Sequence, residues 1–215
     1  LEVIVITKFY TCQNHLVFKE VFMQESNKDL LVQLLEKILK VKIKRVKIAD
    51  FEHSFCLLES EEDNFHLLLT TDSGIMKVAI CFIEKSSDTL KNMAYICDVY
   101  HEHTINDNTY NEDVMIVQIN FNYYSESKKG ITIYSLQDDT EKDYVSNLKI
   151  YEINMPRYMD IWKAKDLDKI EENKEIIMLN LGLDDLAILS KNDAMVEKYM
   201  HELQKVNENY FCSDK

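Results

Sequence analysis

Phe65-His-Leu-Leu-Leu-Thr-Thr-Asp-Ser-Gly74-Ile-Met-Lys-Val-Ala-Ile-Cys-Phe-Ile-Glu84 is the stretch on which the fold turns. Two runs rich in Leu, Ile, Val and Thr meet at the turn sequence Asp72-Ser-Gly74. The spacing predicts a β-hairpin with strands Phe65–Thr71 and Ile75–Glu84. Successive side chains of a strand point to opposite faces. Met76, Val78, Ile80 and Phe82 therefore share one face, large and apolar, that belongs to a core. Ile75, Lys77, Ala79, Cys81 and Ile83 share the other. That face mixes a cation, a methyl and a thiol, the composition of a surface that lies under a helix or lines a groove.

Upstream of the hairpin, residues 2–7 alternate weakly as a short strand, and Leu16–Phe22 reads as a short helix. Ser26 is an N-cap with Asp29 three positions on. Leu30, Leu31, Leu34, Leu35, Ile38 and Leu39 then recur at helical spacing, an amphipathic helix. Val41–Ala49 is a strand in which Lys42, Lys44 and Lys47 interrupt apolar residues, and Glu59-Ser-Glu-Glu-Asp63 is a solvated acidic loop. Downstream, Ser86-Ser-Asp-Thr opens a helix to about Tyr100. Asp113–Tyr123, Gly130–Leu136 and Val145–Ile153 are three further strands, and the chain after Pro156 is helical to about Tyr210, with breaks near Asn173 and Gly182. This order gives an α/β fold with a central mixed sheet and helices against it.

Composition narrows the classes of function. The 215 residues carry 25 Lys and Arg against 38 Asp and Glu, a net charge of −13, and only Arg45 and Arg157 are arginines. Such a chain repels phosphate and lacks the forked donors that read it, so nucleic acid is an unlikely partner and a basic protein a better one. The five cysteines are odd in number and contain no Cys-x-x-Cys, which fits reduced thiols in the cytoplasm. No apolar run approaches the ~18 residues of a membrane span, and the start has no basic segment of a signal peptide.

The chain also resembles a known family. Asn14-His-Leu-Val-Phe-Lys-Glu-Val-Phe22 followed by Asn27-Lys-Asp-Leu-Leu31 is similar to the opening of the PD-(D/E)XK nuclease family transposases, the Rpn-like recombination-promoting nucleases. There the opening runs Asn-Asp-x-x-Phe-Lys-x-x-Phe before a leucine-rich helix. The hairpin resembles the family's strand beginning with Asp, its Asp-Asp-Gly turn and its strand carrying Glu-x-Gln. Lys91-Asn-Met-Ala-Tyr-Ile-Cys-Asp-Val-Tyr100 resembles the family's helix Arg-x-x-x-Tyr-x-x-x-x-Tyr, and Tyr110, Met115–Phe121 and Ile150-Tyr-Glu-Ile-Asn-Met-Pro156 look similar as well. The resemblance covers roughly residues 12–163 and implies a PD-(D/E)XK core over 1–155 with a helical C-terminal extension over 156–215.

The departures carry the functional expectation. In the family, acidic groups hold Mg²⁺, a hard cation that needs oxygen ligands and that activates water for phosphodiester cleavage. On the resemblance, the helix acid becomes His15, the first strand acid His66, the second strand acid Ala79, the Gln position Cys81 and the helix Arg Lys91. A register slip of one residue does not restore the acids, because it exchanges the two faces of the strand. Asp72 lies in the turn and Glu84 has the core-facing parity, so neither is placed to pair with a second acid. The expectation is a pseudonuclease with no catalytic residues and no cofactor, acting through a protein partner as an inhibitor or immunity-type protein in mobile-element or phage–host biology. Whether it forms a homo-oligomer is left open. The competing expectation is an active Mg²⁺-dependent DNA endonuclease with relocated acids.

Other constellations weigh less. His15, His66 and Cys81 would offer two imidazoles and a thiolate to Zn²⁺ if the family geometry holds, against the plainer reading of residues filling a groove. Cys81 with His66 has the residue types of a thiol nucleophile and its base, without an oxyanion-hole signature. His101 and His103 read as loop residues. Tyr95, Tyr100, Tyr123 and Tyr124 could stack bases, which the net charge opposes. Lys42, Lys44, Arg45 and Lys47 read as protection of an edge strand. Helix 191–209, with Val196, Tyr199, Met200 and Leu203 in one stripe, is suited to packing on the body of the protein or on a partner.

Overall fold

The computed structural model describes residues 9–48, 65–85, 96–97, 100, 114–125 and 127–211. The expectations for residues 2–7, for the acidic loop, for His101, His103, Lys91, Tyr95 and Tyr110, and for most of the helix after Ser86 lie outside the described residues. Two compact units are present. One holds the described residues from Lys40 to Arg157, and the other holds those up to Leu39 together with those from Tyr158 on.

The first unit is a six-stranded mixed sheet. Its strands are β1 (Ile43–Ile48), β2 (Phe65–Thr71), β3 (Gly74–Ile83), β4 (Val114–Asn122), β5 (Ile131–Gln137) and β6 (Asp143–Asn154). They lie in the order β1-β2-β3-β4-β6-β5. β1, β2 and β3 are antiparallel neighbours, β3, β4 and β6 are parallel, and β5 returns antiparallel to β6. The predicted hairpin is present, closed by Thr71, whose Oγ1 accepts from Ser73 N at 3.2 Å and donates to Gly74 O at 2.9 Å. Gly74 has φ 131°, a conformation that needs a residue without Cβ. The face of Met76, Val78 and Ile80 is core, as expected, joined by Val117, Ile119 and Phe121. There Phe82 meets Phe65 edge-on at 6.2 Å and Phe121 at 5.6 Å. Among the described residues β1 is an edge strand, with Lys44, Arg45 and Lys47 exposed.

The second unit is helical. α1 (His15–Phe22) and α2 (Lys28–Leu39) come from the start of the chain. α3 (Met155–Lys163) runs out of β6, and α4 (Leu167–Ile177), α5 (Leu183–Leu189) and α6 (Ala194–Phe211) follow. Asn14 caps α1, accepting from Leu16 N at 3.0 Å and Val17 N at 3.2 Å. Ser26, expected as the cap of α2, lies instead inside a short 3-10 turn, Glu25–Asn27, that leads into that helix. The apolar stripe of α2 is buried in full, from Leu30 to Leu39. Asp193 caps α6, accepting from Met195 N and Val196 N at 3.0 Å, and Val196, Tyr199 and Leu203 are buried. Phe22 ties α1 to α6 through Tyr199, ring to ring at 5.8 Å. Asn207, fully buried on α6, accepts from Tyr10 N at 2.7 Å and donates to Tyr10 O at 2.9 Å. The expected breaks are present: Asn173 is non-helical, and Gly182 precedes α5.

Candidate functional site

Strand register builds the site row by row. His66 on β2 pairs with Ala79 on β3, Ala79 with Gln118 on β4, and Gln118 with Ile150 on β6. Two positions along β3, Cys81 pairs with Asn120, and Asn120 with Glu152. Paired residues share a face, so His66, Ala79, Cys81, Gln118, Asn120 and Glu152 all stand on one side of the sheet.

At the middle of that face is an apolar plug. Ala79 (3% exposed), Cys81 (0%) and Ile116 (3%) form a buried cluster against which Tyr100 and Leu148 pack. Burial alone drives the Cys81 thiol far above the ordinary thiol range. Burial on this scale favours the neutral S–H over the thiolate. His66 is half-buried beside this cluster, whereas His15 belongs to the helical unit. Among the described residues, no three of His, Cys, Asp and Glu gather in a way that could hold a metal ion.

Among the described residues, the other acids of the sheet are dispersed. Asp72 is engaged in the hairpin turn by Lys44 at 2.8 Å, both side chains being largely exposed. Glu84 follows the far end of β3, exposed. With β3 between them, and a rise of ~3.3 Å per residue, the two are roughly 33 Å apart. Ligands of one ion must sit within a few ångströms of each other, so Asp72 and Glu84 cannot share one. Glu152 is on the correct face but two strands from Ala79, and its carboxylate accepts from Ser125 Oγ at 3.2 Å. The Mg²⁺ site of an active PD-(D/E)XK centre does not fit the residues at these positions, because a methyl and a buried neutral thiol offer no anionic oxygen.

Sequence reasoning missed an amide ladder beside the plug. Gln118, Asn120 and Asn122 occupy alternate positions of β4 and are all buried. Gln118 Nε2 donates to Asn120 Oδ1 at 2.8 Å, while Asn122 Oδ1 accepts from Tyr124 N at 2.8 Å. Gln118 Oε1 is buried without a hydrogen-bond partner among the described residues. The signal was in the sequence: three amides at a spacing of two in an otherwise apolar strand assign one face to polar chemistry.

The comparisons agree with this architecture. The family model of the PD-(D/E)XK nuclease family transposase matches residues 12–210, from the first helix through α6 and well past the stretch in which the resemblance was legible. No curated protein and no solved structure matches. A match over so much of the chain, on a mixed α/β sheet, places it: the chain belongs to the PD-(D/E)XK nuclease family transposases.

Proposed function

We propose that this protein is a pseudonuclease, a PD-(D/E)XK chain that does not cut DNA and works by contact with another protein. One observation supports the proposal: Ala79 and Cys81, the β3 positions that the resemblance matches to the second strand acid and to the Gln of the nucleases, lie buried in an apolar cluster with Ile116. Catalysis of phosphodiester cleavage by Mg²⁺ needs the ion to neutralise charge and activate water, and an apolar cluster can do neither. The net charge of −13 favours a basic partner by steered association, as for an inhibitor or immunity protein directed at a nucleic-acid-binding enzyme.

A plasmid-nicking assay in Mg²⁺ and in Mn²⁺ tests the catalytic half. The expected result is no nicking above the metal-only control. Metal-dependent nicking that is lost in Glu84→Gln or Glu152→Gln would show relocated acids at work, and the pseudonuclease reading would fall. Co-purification from the native host at low and at high salt tests the other half. A basic partner retained at ~50 mM salt and released at ~0.5 M is the outcome that electrostatic steering requires.

A further inference from the structure

The two edges of the sheet are built differently. β1 carries Lys44, Arg45 and Lys47 along its length. β5, the last strand on the other side among the described residues, is Ile131-Thr-Ile-Tyr-Ser-Leu-Gln137, without a single charge. Ile133, Tyr134 and Leu136 are 55%, 49% and 54% exposed. An uncharged, apolar, exposed edge is a template for another strand, and proteins normally blunt such edges.

From these features we infer that β5 is a self-pairing edge, through which two copies of this chain join their sheets antiparallel about a two-fold axis at Tyr134. Three observations select a second copy as the occupant. First, the backbone is ready. Gly130 O accepts from Asn154 N on β6, so alternation directs the N–H and C=O of Ile131 and Ile133 outward. The ladder between β5 and β6 skips from Tyr134↔Ile150 to Leu136↔Val145, so the extra residues fall on β6 and β5 stays continuous. Second, the strand is self-complementary. Symmetry about Tyr134 sets Ile133 opposite Ser135 and Thr132 opposite Leu136, with Tyr134 on its own counterpart and no like charges meeting within the strand.

Third, the flanks are of opposite sign. Lys128 and Lys129 precede β5, and Asp138 and Asp139 follow it, all exposed. Antiparallel pairing brings the lysine flank of one copy towards the aspartate flank of the other, Lys129 towards Asp139, twice per dimer. Within the chain, neither side chain makes an ion pair among the described residues. Net repulsion between two acidic chains is spread over their surfaces and screened beyond ~8 Å at physiological salt, whereas these pairs are local. The inference does not rest on the pseudonuclease reading, since an active nuclease could pair in the same way.

Sedimentation velocity over a concentration series, in ~0.15 M salt, tests it on the whole chain. The expected result is a monomer–dimer equilibrium. Tyr134→Lys places two ammoniums at the axis and should raise the dimerisation midpoint at least tenfold. Lys129→Asp and Asp139→Lys should each weaken the dimer, and the double reversal should restore it. Circular dichroism checks that the variants, all at exposed positions, remain folded. A chain that stays monomeric throughout, whatever else β5 then binds, overturns the inference. So does a dimer indifferent to Tyr134→Lys, or charge reversals that fail to rescue each other.

Discussion

Ala79→Glu writes a carboxylate back into the plugged face and so tests the reading of that face directly. The position is 3% exposed and shares its cluster with Cys81 and Ile116. A carboxyl buried among apolar groups can have its pKa raised by ~3 units or more. At about 1.4 kcal/mol per unit, that costs about 3–4 kcal/mol at pH 7, and forcing the longer side chain into a closed cluster adds about 1–3 kcal/mol. The sum, about 4–7 kcal/mol, rivals the whole stability of many domains. The electrostatic part has a definite sign. The folded pKa is raised, so the penalty is full above it and vanishes below the unfolded value near ~4.3. Urea unfolding followed by far-UV circular dichroism should therefore show a deficit that narrows to about 1–3 kcal/mol at pH 4. Added Mg²⁺ should not rescue the variant, because among the described residues no second carboxylate stands beside it. A metal-competent face would behave oppositely. The substitution would be tolerated at pH 7, and Mg²⁺ at ~100 times its Kd would add about 2.7 kcal/mol. Either result would refute the argument.

Other predictions concern the packing around the site. Asn207→Leu strands the N–H and C=O of Tyr10 and should cost about 2–4 kcal/mol in the same unfolding assay; a loss below about 0.5 kcal/mol would mean that water replaces the amide. Burial pushes the Cys12 thiol up to about 12 and Cys81 further still, while Cys97 is exposed. Alkylation at pH 8 with peptide mapping should therefore label Cys97 in the native protein, and Cys12 and Cys81 only after unfolding. Burial pulls the Asp193 carboxyl upward, yet Lys174 at 2.6 Å and the N–H groups of Val196 and Met195 hold it below its ordinary value of 3.8. A depressed carboxyl stabilises the fold fully above its unfolded pKa and loses that contribution as the pH falls through the folded one. Asp193→Ala should cost about 1–2 kcal/mol at pH 7, with the gap closing as the pH drops below 3.8. A gap unchanged by pH would assign the effect to something other than the carboxylate.

How much of this was legible follows from which signals are local. The hairpin was, because Asp72-Ser-Gly74 fixes the turn and alternation fixes the faces. The breaks at Asn173 and Gly182 were too. The end of α3 was not, because glycine does not mark it: Lys165, just beyond that helix, takes a positive φ of 53°. A lysine in that conformation gives no sequence signal and costs about 1 kcal/mol that other contacts must offset. The ladder Gln118-Asn120-Asn122 was present as a pattern but was overshadowed by its apolar neighbours. The edge position of β5 was not legible at all, because a strand's place in a sheet depends on partners far along the chain. The same holds for the candidate site. Ala79 and Cys81 could be named from the hairpin, but the plug needs Ile116 and Leu148, from strands some 35 to 70 residues later.

The make-up of the helical unit has a consequence for synthesis on the ribosome. α1 and α2 find their partners in helices that begin beyond Tyr158: Lys37 reaches the carbonyl of Glu172, and Lys198 closes on Asp29 at 2.5 Å. The intervening residues 40–157 must be made first, which takes roughly 6–24 s at ~5–20 residues per second. For that interval α2, with its stripe Leu30, Leu31, Leu34 and Leu35, lacks the later helices of its native unit. The nascent chain therefore carries a greasy stripe through most of its own translation, and the growing protein must rely on chaperones or transient collapse to keep that stripe from finding a neighbour on the next ribosome.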